Sequence, residues 1–312
     1  MEKEPSYNPE RRSAISRIVG FPELEEKELL EQTKEAFADQ KPYPFEREKT
    51  ERELRIINGV LSKLPEFLDE YGVKPLALTP AHIHVADESA LAGGRKREFG
   101  IPDEAGGLYV EETQGVVAFS EEDDLAFAER VAHEAIHANS FSSFARAGEE
   151  FSLRRIGLTV VGGDGRRYFH DLNEGLTEEL AKRFDRKHSG EIPGLEKAVK
   201  VREEFIGMVR AKNPEANTDE IRSVIAKQRQ DGTWTTTVEE YVYPKERKEL
   251  RELVNEIYER NTGRFGTSDD VFQLFVQAAF TGRITELGRL VESTFGNGSF
   301  RKLGERTAKN PR

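Results

Sequence analysis

His133-Glu134-Ala135-Ile136-His137 is the stretch that decides how this chain is read. On a helix, positions i and i+4 lie one turn apart on one face. Two imidazoles set there can reach a single metal ion. Zinc takes nitrogen, sulfur or carboxylate ligands in a tetrahedral shell, and a catalytic site keeps one position for water. His133 and His137 are the first two expected ligands. Glu134 follows as the natural general base for a metal-activated water. The bland alternative is a helix with two surface imidazoles and a solvated carboxylate, and the flanking sequence weighs against it.

Those flanks read as a helix. Ser120-Glu121-Glu122-Asp123 offers an N-cap with acids in the first turn, where they suit the helix dipole. Leu125, Ala128, Ala132, Ala135 and Ile136 then recur at helical spacing. No Pro or Gly interrupts Ser120 to Ala147, so the motif is expected well inside the helix. Downstream, Leu153 to Val161, the turn Gly162-Gly163-Asp164-Gly165 and Arg166 to His170 read as a β-hairpin. A second helix then starts at Asp171-Leu172-Asn173 and runs through Leu176, Leu180 and Ala181. Glu174 and Glu178 share a face of it. Glu174 is the expected third ligand. Glu178 is placed to hydrogen-bond a ligand imidazole and hold its tautomer.

With these residues in hand, the chain resembles the gluzincin branch of the zinc metallopeptidases, to which thermolysin belongs. The resemblance rests on His133 to His137, on Asn173-Glu174, and on Glu178 in an E-x-x-x-[D/E] arrangement. Leu172 to Glu178 is also similar to small bacterial zincin-like proteins and to lethal-factor-like peptidases. The resemblance covers roughly residues 75–185. It implies one Zn²⁺ per chain, a Glu base, peptide-bond hydrolysis and a supporting place for Asn173. It also implies an α+β fold with a zincin-like metallopeptidase core, a twisted mixed sheet beside the motif helix. Substrate backbone would add to that sheet's edge strand, and Gly107–Phe119 is the candidate edge. The 36 residues between His137 and Glu174 depart from the thermolysin arrangement, so substrate preference is not carried over. The metzincin pattern, with its third His, is absent after His137.

A peptidase also needs an electrophile for the tetrahedral oxyanion. Tyr168 and His170 lie just ahead of Glu174. Lethal-factor-like relatives carry a Tyr shortly before the third ligand, as Tyr168 stands here. Tyr241 and Tyr243 form a second pair, with Tyr243 ranked behind Tyr241. For each Tyr the alternative is a packed ring with its hydroxyl satisfied.

Composition bounds the rest. The chain has 312 residues, 36 % of them hydrophobic and 34 % charged, which fits one large or two moderate domains. A net charge of −11 argues against a nucleic-acid partner, which needs a basic face. There are no cysteines, so a metal must be held by His and carboxylate. No apolar leader or membrane-length run is visible, and the expected location is cytoplasmic. Asn297-Gly298-Ser299 is read as a coincidental sequon.

Three segments are expected. Residues 1–72 form an arm and a helical layer, with helices over Pro22–Gln40 and Pro44–Tyr71. Residues 73–190 form the catalytic core, with strands at Ile83–Ala86, Gly107–Glu111 and Gly115–Phe119. His82 and His84 could form a second metal pair, though packing is the plainer role. Residues 191–312 form a mostly helical lobe, with helices over Leu195–Ala211, Asp219–Gln230, Glu246–Arg260, Ser268–Thr281 and on to Phe295. A β-rich break at Asp231–Val238 carries the sole Trp, Trp234. The leading function is a zinc peptidase acting on a peptide or protein. The alternatives are a zincin-fold hydrolase with one specific protein or other amide substrate, and a noncatalytic zinc-binding module. Glu134 separates the first from the last, since a purely structural site has no use for a base beside an open ligand position.

Overall fold

The computed structural model describes residues 23–91, 106–111, 113–147, 150–228 and 234–310. The expected arm at residues 1–20 lies outside them. The protein is α+β. Helix α1 (Glu23–Ala38) leads to α2 (Glu51–Asp69), which starts at a reciprocal capping box between Thr50 and Glu53. One stripe of α2, including Ile56, Val60, Leu64 and Phe67, is buried. His82 and His84 are tied up in packing: His82 faces Thr79 and the Phe37 carbonyl, and His84 bonds Glu46 and Gln40. These contacts anchor the segment that follows α1.

Strands β1 (Ile83–Ala86), β2 (Gly107–Val110) and β3 (Gly115–Phe119) form a mixed sheet in the order β1-β3-β2. β3 is central, parallel to β1 and antiparallel to β2. Of the expected edge Gly107–Phe119, β3 is central and β2 lies at the edge among the described residues. Helix α3 (Asp124–Asn139) carries the motif against this sheet. Its N-cap is Asp123, whose carboxylate accepts from Ala126 N, three residues later than the Ser120 start expected.

The helix also ends early, which corrects the expectation of a run to Ala147. His137 sits in the last turn. The sequence after it, Asn139-Ser140-Phe141-Ser142-Ser143, offers side chains that compete with helical hydrogen bonding. Asn139 Oδ1 accepts from Leu76 N at 2.7 Å, and Ser140 Oγ donates to Ile136 O at 3.2 Å. The chain then turns into a four-stranded antiparallel meander of β4 (Ser142–Ala147), β5 (Glu150–Ile156), β6 (Thr159–Val161) and β7 (Arg167–Tyr168). The expected hairpin is β6–β7. The single strand expected from Leu153 to Val161 is broken at Gly157, whose φ of +56° turns β5 into β6.

Helix α4 (His170–His188) follows, then α5 (Glu196–Lys212). Residues 219–228 do not form the helix expected over Asp219–Gln230, whose last two residues lie outside the described ones. Ile221–Gln228 is strand β8, paired antiparallel with β9 (Trp234–Glu240). Ile221, Val224 and Ile225 favour strand, and the Thr- and Val-rich partner supplies the cross-strand pairs Val224–Val238 and Ile225–Thr237. The side chain of Trp234 lies outside the described residues. Helices α6 (Pro244–Arg260), α7 (Ser268–Thr281), α8 (Ile284–Phe295) and α9 (Ser299–Arg306) complete the chain. One buried cluster draws on all three sequence segments, from Ile56 through Ile136 and Leu176 to Leu303. Among the described residues, no helix is long and apolar enough to cross a membrane.

Candidate metal centre

Helices α3 and α4 pack side by side and bring the expected ligands together. His133 Nε2 and His137 Nε2 lie 3.1 Å apart. Glu174 Oε2 is 3.6 Å from the first and 3.5 Å from the second. All three residues are at most 9 % exposed. Zinc–nitrogen bonds of about 2.0–2.1 Å at tetrahedral angles put ligand atoms roughly 3.3 Å from one another. The triangle therefore fits a zinc ion. The donor set fits as well, because two imidazole nitrogens and a carboxylate oxygen are ligand types that zinc takes.

The ligands are held from behind. His133 Nδ1–H donates to Glu178 Oε2 at 2.8 Å, as expected, so that the neutral imidazole would turn the lone pair of Nε2 to the cluster. His137 Nδ1 faces Thr177 Oγ1 at 3.5 Å. Thr177 went unnoticed in the sequence, although it lies three residues after Glu174 and therefore near its face. Asn173, expected near a ligand, is instead used by the fold. Its Oδ1 accepts from Leu158 N at 2.8 Å and ties the β5–β6 turn to α4. Gly175 lets α4 approach α6, since a Cβ there would stand 2.6 Å from the Glu246 carbonyl oxygen.

The electrostatics follow from burial and this clustering. Burial alone would push the pKa of His133 down, but hydrogen bonds to Glu174 and Glu178 and the charge of Glu134 carry it well above the usual value. Burial would raise that of Glu174, yet His137 and His133 hold it well below the carboxylate range. Glu134 is different. Burial raises its pKa, and His133 and His137 offset this only in part. It stands outside the ligand triangle, in the wall of a cleft of about 310 Å³ with His133, Gly107 and Tyr243. Gly107 opens edge strand β2, and a Cβ there would come within 2.9 Å of Glu134 Cγ.

The electrophile candidates separate. Tyr168 donates to Asp164 at 3.3 Å in the hairpin turn and packs against the core, so its hydroxyl is spent away from the ligands. Tyr241 is 1 % exposed and its hydroxyl donates to Asp185, which also binds Arg202. Lys182 and Arg186 flank its ring. It is part of the framework, not of the cleft. His170 is brought beside Glu174, with Nδ1 3.7 Å from Oε1, and burial holds its pKa at about 4, so it is a neutral imidazole at ordinary pH.

Tyr243, the lower-ranked member of its pair, is the tyrosine at the cluster. Its ring stacks on His133 at 5.8 Å and 17°. Its pKa is raised, first by burial and then by the charges of Glu174 and Glu134, although the residue as a whole is 37 % exposed. The residue has φ +51°, a conformation costing on the order of 1–3 kcal/mol for a non-glycine. Tyr241 anchors it on one side, and Pro244 starts α6 on the other. The Arg247 amide donates to its carbonyl at 3.0 Å. Phe169, just before α4, also has positive φ. Helices α4 and α6 thus each follow an aromatic residue with positive φ.

Glu129 lies one turn before His133, buried at 3 % exposure, and was not singled out in the sequence. Burial, and then Glu178 beside it, raise its pKa to about 8, against about 4.3 for an exposed Glu. A raised folded-state pKa means that its contribution to stability is fully present below about 4.3 and is lost as pH climbs through about 8. Glu129→Gln mimics the protonated side chain at every pH. In metal-free protein, the melting temperature of this variant relative to wild type is expected to rise from pH 5 to pH 8, as read by calorimetry. Parallel pH profiles for the two proteins would show that Glu129 carries no such proton.

These features define an α+β protein with a buried His–His–Glu cluster, an adjacent carboxylate outside that cluster, and a tyrosine stacked on one imidazole. The chain matches no protein-family model, no curated protein and no solved structure.

Proposed function

We propose that this chain is a zinc-dependent peptidase with a zincin-like core, in which His133, His137 and Glu174 hold the ion. The observation that carries this reading is the convergence of His133 Nε2, His137 Nε2 and Glu174 Oε2 within 3.6 Å of one another, with Glu134 beside the triangle rather than in it. When bound, zinc would polarise the scissile carbonyl and lower the pKa of the attacking water.

The chain's own groups do the remaining work. Glu134 takes the proton as the water oxygen bonds to the carbonyl carbon. It delivers that proton to the amine as the C–N bond breaks. The Tyr243 hydroxyl, kept protonated by its raised pKa, donates a hydrogen bond to the developing oxyanion. Glu178 holds the His133 imidazole in one tautomer. Strand β2, at the edge of its sheet among the described residues and meeting Glu134 at Gly107, supports an extended substrate backbone added as a further strand.

The test is metal content with activity. Purified protein is expected to hold about one zinc per chain and to cleave members of a quenched peptide library. A chelator should stop cleavage and added zinc should restore it. His137→Ala should lose the metal. Failure to take up zinc, or cleavage indifferent to the chelator, would overturn the proposal.

A further inference from the structure

Buried polar groups continue behind His133, past Glu178. Glu178 is fully buried; one oxygen accepts from His133 Nδ1, and the other, Oε1, has no donor among the described residues. Glu129 brings a carboxylate oxygen within 4.8 Å of one from Glu178, and its own Oε1 is likewise without a partner among the described residues. Its other oxygen accepts from Arg222 Nη1 at 3.1 Å. Arg222 is 7 % exposed, sits on β8, and donates through Nη2 to Glu239 of β9 at 2.9 Å.

Two buried carboxylates this close, each with an oxygen lacking a donor among the described residues, are costly unless a hydrogen lies between them. A carboxylic acid at Glu129 supplies it, donating through Oε1 while Oε2 accepts from Arg222. We infer that Glu129 is a positioning residue for the metal centre. Gripped by Arg222, it hydrogen-bonds Glu178 and fixes that carboxylate against His133 Nδ1, so that Nε2 keeps its aim at the ligand cluster. The inference rests on the metal-centre reading above and adds to it a link from the β8–β9 hairpin to a ligand.

A second cation could be imagined among Glu129, Glu178 and His133, whose ligand atoms also converge. Two facts favour the hydrogen bond. The Arg222 guanidinium already occupies the cationic place beside Glu129. Ligation through His133 Nδ1 would displace its bond to Glu178 and require the imidazole to lose both protons.

The test measures zinc affinity of the full chain by competition with a chromophoric chelator. Glu129→Gln keeps the pattern: its amide donates to Glu178 and its carbonyl accepts from Arg222. Glu129→Met keeps the volume but makes neither bond. Zinc binding is expected to stay within about 3-fold of wild type in the first and to weaken roughly 10–100-fold in the second. A packing role alone predicts that the two variants bind zinc alike, since both keep the volume and buried ionic groups are often replaced by apolar ones without loss of stability. If Glu129→Met does not fold, Arg222→Met serves in its place. That variant removes the grip on Oε2 and should also weaken zinc binding, whereas Glu239→Gln, which cuts only the outer contact, should not. Zinc binding as tight as wild type in the Met variants, or two zinc ions per chain, would overturn the inference. A wild-type chain that binds no zinc would instead bring down the metal-centre reading, and this inference with it.

Discussion

Glu134→Gln is expected to cut peptide cleavage by roughly 10²–10⁴-fold while leaving zinc content unchanged. The asymmetry comes from where the side chain stands. Glu134 is 7 % exposed, borders the cleft with His133 and Tyr243, and does not join the ligand triangle. Gln has the same shape and can still hydrogen-bond, but it cannot take a proton. The pH profile carries the same signature. Glu134 acts only when ionised, so kcat/KM of wild type should fall on the acid side as its carboxylate takes up a proton. Metal analysis beside steady-state rates at several pH values checks both parts. A variant that retains zinc and wild-type rates would remove Glu134 from the chemistry.

The part of the centre legible in the sequence is the part built by local geometry. His133 and His137 meet because a helix repeats every 3.6 residues, and Glu178 lies under Glu174 for the same reason. That α3 and α4 would pack side by side was inferred from the motifs taken together. What escaped the sequence depends on distant partners. Ser120 to Ala147 has no helix breaker, yet Leu76, sixty-three positions away, captures Asn139 and helps to end the helix. Asp219–Gln230 has helical spacing on its own, but its strand partner lies beyond a turn, and hairpin pairing overrides local preference. Arg222 drew no notice because its value lies in Glu129 and Glu239, which flank it only after folding. The tyrosines show the limit most clearly. Tyr168 ranks with Tyr241 and His170 ahead of Tyr243 in the sequence because it lies near Glu174, and sequence distance says little about where a hydroxyl points.

Tyr243 and Tyr241 make the second large expected effect, because two substitutions of the same kind two residues apart should fail in opposite ways. Tyr243→Phe keeps the ring stacked on His133 and deletes only the hydroxyl at the cleft. If that hydroxyl stabilises the oxyanion, kcat should fall by roughly 10²–10³-fold, with KM, zinc content and melting temperature near wild type. Tyr241→Phe deletes a hydroxyl buried against Asp185, a carboxylate that also accepts from Arg202 at 2.5 Å. Losing that donor leaves Asp185 one bond short in a dry site, a cost of about 1–3 kcal/mol in stability. Its catalytic effect should be smaller and indirect, through the backbone that sets Tyr243 at φ +51°. The contrast also guards against misreading. A general loosening of the segment from Tyr241 to Pro244 would lower stability and rate together in both variants. A role for Tyr243 in substrate binding would raise KM instead of lowering kcat. Only a hydroxyl that acts in the transition state leaves the fold, the metal and the Michaelis constant in place and slows turnover alone.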